Sequence, residues 1–494
     1  MEAVQGLMSG FGVILTPANL YYCFLGSVVG TLVGVLPGIG PLAALSLLLP
    51  ATYALPPVAS LSMLSAIFYG AMYGGSTTSI LVNIPGEAAS VVTCFDGYQL
   101  ARKGRAGAAL GMAAMGSFIA GTLSLVALTF FAPTLSMLAI KFGPPENCAL
   151  MVLGLVCTIF MIQGSALKAI VMIALGIVIS AVGIDVVNGR DRFTFGFVNL
   201  SAGAELVAIV MGLFGVSEIL TNVEQMTKHE VVKSKIRDLW PSRADWRASW
   251  APILRGSGLG FVLGILPGGG PVTAAFMSYA VEKRVSEHPE KFGTGAIEGL
   301  AGPESANNAA VAGSMIPLLS LGLPANAVTA LLLGAFIIQG VQPGPLLMVQ
   351  RPDLFWGVVA SLYVGNVFLL ILNLPLVGLW VQLLRVPYKI LFPLILLLTV
   401  VGTYSTNKNL FDLWVMIGFG VLGYVLRKLE YDMSPLILSI VLAPLLEQSL
   451  RQSMVMSQDG AQIFFTRPVS AALFAASVIL LLLVFVRKPK GGLQ

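Results

Sequence analysis

The sequence predicts an all-α polytopic membrane protein, and three observations carry that prediction. Hydrophobic residues make up 56% of the 494 positions and charged residues only 10%, with a mean hydropathy of +0.89, whereas soluble domains are about a quarter charged. Apolar stretches near the roughly 20 residues of a membrane span recur from one end of the chain to the other. Two segments 230 positions apart also share one skeleton: Gly26, Gly30, Gly34, Pro37, Gly38, Gly40 and Pro41, then Gly256, Gly260, Gly264, Pro267, Gly268, Gly270 and Pro271. Five glycines and two prolines in one register mark an internal duplication.

Met1 to Thr16 lacks the basic region and small-residue cleavage site of a signal peptide, so the first spans are expected to direct insertion. Apolar stretches then begin near Asn19, Leu61, Ala106, Asn147, Ala166, Gly203, Gly256, Ala306, Ala327, Leu354, Tyr388, Leu410, Ser434 and Pro468. With several of these as half-spans or hairpins, about eleven or twelve full spans are expected. A membrane barrel is disfavoured, because the runs lack strict alternation. The longest polar interruption, Asn222 to Arg255, separates the copies and carries Trp240, Trp246 and Trp250 beside basic residues, which suits the headgroup region. The expected organisation is a first membrane repeat over 20–222, an interfacial linker over 223–255, a second repeat over 256–452 and a C-terminal span over 467–487.

The net charge of +5 reads as topology. No basic stripe with interleaved aromatics points to nucleic acid, and a lipid membrane is the expected partner. After the broken helix, 51–57 holds no Lys or Arg, while the equivalent loop of the second copy holds Lys283, Arg284 and Lys291. After the next hydrophobic pair the bias reverses: Arg102, Lys103 and Arg105 in the first copy, nothing basic over 340–350 in the second. Equivalent loops therefore face opposite sides under the positive-inside rule, as in an inverted repeat. Six spans per half would instead make the copies parallel, so inversion requires an odd count or a re-entrant hairpin.

Three kinds of segment carry candidate chemistry. In the Pro-Gly breaks, proline removes an amide donor and glycine accepts positive φ, so the helix unwinds. Freed carbonyls suit a sodium ion and the resumed helix N-terminus suits a carboxylate; the alternative is a proline kink with glycines for close packing. The second kind is a polar hairpin from Tyr73 through Ser76, Thr77, Thr78 and Ser79 to Asn83, Pro85 and Glu87. It is matched to Gly302 through Glu304, Ser305, Asn307 and Asn308 to Gly322, Pro324 and Asn326. Such side chains replace water around an ion, or else join helices by hydrogen bonds. The third kind is the acid near an apolar run: Glu304 first and Glu87 next, with Asp96, Glu205, Glu218 and Glu447 read as boundary residues or caps.

Other classes lack their residues. There is no Gly-x-x-x-x-Gly-Lys-Ser/Thr loop for nucleotide, and His229 and His288 stand in polar loops without zinc-site or Ser-His spacing. Cys23, Cys94, Cys148 and Cys157 lack metal-ligand spacing and read as packing residues. An enzyme therefore has little support, and no cofactor beyond a coupling ion is expected.

Gly34-Val-Leu-Pro-Gly-Ile-Gly40, Tyr73-Gly-Gly-Ser-Thr-Thr-Ser-Ile-Leu-Val-Asn-Ile-Pro-Gly86, Gly302-Pro-Glu-Ser-Ala-Asn-Asn308 and Arg192-Phe-Thr-Phe-Gly196 resemble the large permease subunit of the tripartite tricarboxylate transporters. The resemblance runs from about Leu20 to Gln452. It implies a complex with a small membrane subunit and a periplasmic solute-binding protein in the bacterial inner membrane. It also implies uptake of carboxylates, citrate in the best-known members, driven by an ion gradient, usually sodium, with protons as the other candidate. Carried onto this chain, it places Gly38, Gly40, Ser76, Thr77, Asn83, Gly268, Gly270, Ser305, Asn307 and Asn308 around the substrate. Pro37, Gly38, Asn83, Pro267, Gly268, Glu304 and Asn307 are its cation candidates. A stand-alone symporter and a channel are the competing readings.

Overall fold

The computed structural model describes residues 2–36, 40–162, 165–185, 188–224, 239–383, 388–457 and 460–486. Among these the chain is helical nearly throughout, and the only strands are the antiparallel two-residue pair β1 (Gly183–Ile184) and β2 (Asp191–Arg192). The first half runs α1 (Glu2–Ile14), α2 (Pro17–Val35), α3 (Gly40–Leu48), α4 (Pro57–Val82), α5 (Val91–Leu100), α6 (Ala106–Ala139), α7 (Pro144–Met161), α8 (Ala166–Ser180), α9 (Leu206–Val210) and α10 (Ser217–Glu224). The second runs α11 (Arg243–Ile265), α12 (Pro271–Val285), α13 (Ile297–Leu321), α14 (Ala327–Ile338), α15 (Leu347–Gln350), α16 (Pro352–Asn373), α17 (Val377–Leu383), α18 (Tyr388–Asn407), α19 (Leu410–Lys428) and α20 (Ser434–Met456). Short α21 (Ile463–Thr466) and α22 (Pro468–Val486) close the chain.

Among the described residues six helices are long and apolar enough to cross a membrane, or seven counting the C-terminal pair bent by 89°. That is fewer than the eleven or twelve expected, for physical reasons. The helices α8 and α14 have 15 and 12 residues, short of a span, and α13 carries Glu298, Glu304, Asn307 and Asn308. Such helices need protein around them, and α13 is almost wholly buried.

Both halves rest on the same close helix crossing. In α2, Gly26, Gly30 and Gly34 lie against the carbonyls of Met63, Ile67 and Ala71 of α4; in α11, Gly256, Gly260 and Gly264 lie against those of Gly302, Ala306 and Ala310 of α13. Backbone meets backbone at all six points, so a Cβ at any of them would strike the partner helix. Glycine every fourth residue makes this approach possible. The duplication seen in the glycine spacing is thus also a duplicated packing.

The structure shortens the expected linker. Ser242 caps α11, its Oγ accepting from the Asp245 amide at 3.2 Å, so 243–255 form the first turns of that helix. Of the remainder, 225–238 lie outside the described residues. Trp240 and Trp250 are exposed, and the rings of Trp246 and Trp250 stand 5.7 Å apart.

Loops of opposite halves meet at two places. Lys103 Nζ donates to the Thr294 carbonyl at 2.6 Å. Asp96 accepts from the amides of Gly293, Gly295 and Ala296 at 2.7–2.9 Å and from the Tyr279 hydroxyl at 2.9 Å, so it acts as a cap. Elsewhere, Gln339 Nε2 donates to the Thr52 carbonyl at 2.9 Å.

Candidate functional site

Each half contains two helix breaks, built alike. Leu266 ends α11, Gly268 and Gly270 take φ of 77° and 91°, and Pro271 starts α12. In the first copy Gly40, at φ 61°, opens α3; Pro37 and Gly38 lie outside the described residues. The second break follows α4 and α13. Asn83 (φ 59°) and Gly322 (φ 70°) end these helices in the left-handed region. A proline follows two residues on, and Glu87 and Asn326 then cap the next helical turn. Glu87 Oε2 accepts from the Ala89 amide at 2.5 Å, and Asn326 Oδ1 accepts from the Thr329 amide at 3.0 Å. Ser90 and Thr329 complete the two boxes by accepting from the cap amides, which secures otherwise orphaned donors. The Gly268 amide donates to the Ala325 carbonyl at 2.7 Å and ties the two breaks of the second half together.

These breaks converge on one cavity of about 650 Å³. Gly40, Pro41, Pro85, Gly86, Glu87, Gly268, Gly269, Pro271, Thr273 and Asn326 line it, with Thr158 from α7, Arg427 from the last turn of α19 and Tyr431 and Asp432 from the α19–α20 connection. The starts of α3, α12 and α14 and of the turn leading into α5 therefore open onto the same space, and each helix start presents a partial positive charge. The charged side chains of the lining are Glu87, Glu218, Asp432 and Arg427, and Arg427 is paired with Glu218. Side chains leave this cavity with an excess of negative charge.

A second polar assembly sits among α4, α5, α6 and α13, outside the cavity lining. Glu304 is fully buried; Ser76 Oγ donates to its Oε2 at 2.6 Å and Thr93 Oγ1 to its Oε1. Asn308 Nδ2 donates to Ser117 Oγ at 2.7 Å and to Asn307 Oδ1 at 2.6 Å. Ser305 Oγ has no partner among the described residues. Thr77 borders a void of about 10 Å³ with Tyr73, Ser76 and Asn373, about the room of one water. The assembly touches the cavity wall through Gly75, where a Cβ would stand 3.0 Å from Glu87 Cγ.

The sequence-derived candidates therefore fall into groups. Gly40 and Gly268 line the cavity, and Gly270 caps α12 beside Asn326. Ser76, Thr77, Glu304, Ser305, Asn307 and Asn308 form the buried seam. Asn83 is exposed and serves as a left-handed helix end, while Pro267 packs near Gly154. The expected polar hairpins are corrected: 57–82 and 297–321 are continuous helices whose breaks come only afterwards. Glycine contacts and caps set the register, so Gly302–Asn308 correspond to Met63–Tyr69 rather than to Tyr73–Ser79. Thr158, Thr273, Arg427, Tyr431 and Asp432 carry no site signal in the sequence. Thr158 is the one hydroxyl of α7 and Thr273 the one hydroxyl in the first turns of α12, and the other three reach the cavity only through tertiary folding.

A family model described as the tripartite tricarboxylate transporter TctA family matches residues 20–438. An uncharacterised 52.8 kDa protein in the TAR-I ttuC' 3' region of Agrobacterium vitis is 51% identical over 493 residues, covering 99% of this chain and 98% of that protein. An uncharacterised protein in the TAR-II ttuC' 3' region of the same organism is 52% identical over 224 residues, 45% of this chain and 93% of its own length. No solved structure matches the chain.

Proposed function

The chain belongs to the tripartite tricarboxylate transporter TctA family, a transport family, and from that premise we propose that it is the large membrane subunit of a binding-protein-dependent importer of carboxylates, driven by cation symport. The observation that carries this reading is the convergence of helix starts from both repeats on one cavity. Helix N-termini hold carboxylates without fixed cationic side chains, and a volume of about 650 Å³ lies in the range of about 300–1,000 Å³ usual for small-molecule sites.

Charge balance supports a coupled cation. Three carboxyl groups and one guanidinium line the cavity, a formal excess of two negative charges that the four helix starts, at about half a charge each, roughly balance. A polyanionic substrate entering alone therefore brings charge that nothing left over in the lining neutralises. A sodium ion entering with the substrate offsets part of that charge. It also supplies the difference in affinity between states that coupling requires.

The meeting of opposite-half loops supports an inverted arrangement. The basic 102–105 loop touches the 291–296 loop, and the uncharged 51–57 loop touches the end of α14. Copies related by a two-fold axis in the membrane plane pair non-equivalent loops in this way. The basic end is then cytoplasmic in a bacterial inner membrane, and the opposite end receives substrate from the binding protein. Alternating access follows from movement of the paired breaks against the surrounding helices.

The test is uptake of labelled citrate and of a di- and monocarboxylate panel into liposomes holding this subunit and its small partner, with and without the binding protein, under an imposed sodium gradient. Accumulation requiring both sodium and the binding protein is expected. Accumulation without the binding protein would identify a stand-alone symporter, and saturation-free flux that never accumulates would identify a channel.

A further inference from the structure

Glu87 and Asn326 hold the same place in the two halves. Each follows a left-handed helix end and a proline, each caps the next helix, and each lines the cavity. Each uses one side-chain oxygen for the cap. The other atom of each is buried and has no partner among the described residues: Oε1 of Glu87 and Nδ2 of Asn326. Glu87 is only 7% exposed, and no described Lys, Arg or His forms an ion pair with it.

An orphaned buried polar atom calls for a partner, and most such atoms in folded proteins have one. The two orphans have opposite chemistry: a carboxylate oxygen accepts, whereas an amide nitrogen donates. Equivalent positions therefore ask for opposite ligands. We infer that the duplicated site is divided, with Glu87 Oε1 as a ligand of a sodium ion and Asn326 Nδ2 as a donor to the substrate carboxylate.

This division rests on the transporter reading and assigns the residues within it. Oxygen ligands suit a hard cation, and Pro85 and Gly86 line the same wall as Glu87. On the other side, the starts of α12 and α14 reinforce the Asn326 amide. A Cβ at Gly270 would stand 3.2 Å from Asn326 Nδ2, so a side chain there would crowd that nitrogen.

Three variants of the full chain with its small partner test the division. Glu87→Gln keeps an oxygen for the Ala89 amide but removes the charge. Asn326→Asp keeps the cap and turns the donor into an acceptor. Ser90→Ala breaks the capping box and keeps the charged Glu87 side chain. Thermal unfolding is read in sodium against potassium with no carboxylate present, and uptake is read with the carboxylate that accumulates in wild-type liposomes among citrate, succinate and lactate.

Sodium is expected to raise the melting temperature of the wild type, Ser90→Ala and Asn326→Asp. Its apparent affinity should fall at least about tenfold in Glu87→Gln, the equivalent of about 1.4 kcal/mol. Asn326→Asp should raise KM for the carboxylate by about tenfold or more with sodium affinity unchanged. Sodium stabilisation persisting in Glu87→Gln overturns the proposal, as does equal loss of both ligands in the Glu87 and Asn326 variants. Accumulation driven by a pH gradient alone and abolished in Glu87→Gln would assign a proton and overturn the sodium site. If none of the carboxylates accumulates, the transport reading fails, while the sodium shift still decides the role of Glu87.

Discussion

Replacing two glycines of α11 by alanine should change stability in opposite directions, although they stand two residues apart. Gly258 is exposed and nothing lies within 4 Å of a Cβ built there. Alanine at an exposed helix position gains about 0.5–1 kcal/mol over glycine by restricting the unfolded chain. Gly260 faces the Ala306 carbonyl and Cα, with the Cα 2.7 Å from a built Cβ. The neighbour is backbone, so α11 and α13 must separate. Overpacking of this kind costs about 1–3 kcal/mol, which exceeds the propensity gain. Gly258→Ala should therefore raise the melting temperature of the purified protein, followed through Trp250 on the same helix, and Gly260→Ala should lower it. Gly30→Ala in α2, which meets the Ile67 carbonyl at 2.6 Å, should behave like Gly260→Ala if the halves share one packing. A melting temperature unchanged or raised by Gly260→Ala would refute the reasoning, because the close crossing would then not constrain the helices.

Glu304→Gln should retain sodium stabilisation and cost about 1 kcal/mol, since Gln keeps an acceptor and Ser76 can turn to the Met72 carbonyl at 3.2 Å. Glu304→Ala removes the acceptor of both Ser76 and Thr93 and leaves a void, costing about 2–5 kcal/mol; both are read by thermal unfolding. Asp96→Ala strips three amides and the Tyr279 hydroxyl of their acceptor, and should raise hydrogen exchange selectively in 293–296. Asp245, at the start of α11 outside the apolar stretch, is pushed up by burial but held below the usual carboxylate range overall by hydrogen bonds from Arg105 and Ser242. Its contribution is present above the unfolded carboxylate value of about 3.9 and is lost as pH falls through the lower folded value. Asp245→Asn should thus destabilise the protein near neutrality, by less than about 1 kcal/mol for a partly exposed pair, and the gap from wild type should close in acid.

What could be read from sequence was what glycine and proline decide locally. The glycine repeat became a helix crossing, and Gly40 and Gly268 came to the cavity, because positive φ and a missing amide act on the chain within one turn. The polar motifs were legible as buried but not as to place. Composition alone pairs Tyr73–Ser79 with Gly302–Asn308, whereas the Asn83–Glu87 and Gly322–Asn326 turns give the register. Arg427 and Asp432 could not have been assigned to the site, since nothing near them in sequence announces that the end of α19 and the α19–α20 connection lie beside breaks from both halves.

Duplication alone cannot build a symporter site for an anion and a cation, because two identical halves offer the same chemistry twice. Keeping the backbone device in both copies, the close crossing, the left-handed helix end and the cap, keeps the cavity and its helix breaks. Divergence of single side chains then supplies polarity. Glu87 faces Asn326 across the repeat, and Glu304 falls where the first half has Ser65. On the proposed division, the carboxyl oxygen of the cation half, which has no partner among the described residues, takes the sodium ion. The neutral donor of the anion half, at a helix start, then takes the carboxylate most strongly when that sodium is in place. Each ligand then raises the affinity of the other by the same factor, and the two variants of the cap should show it as reciprocal losses: substrate dependence on sodium in Glu87→Gln, and sodium dependence on substrate in Asn326→Asp.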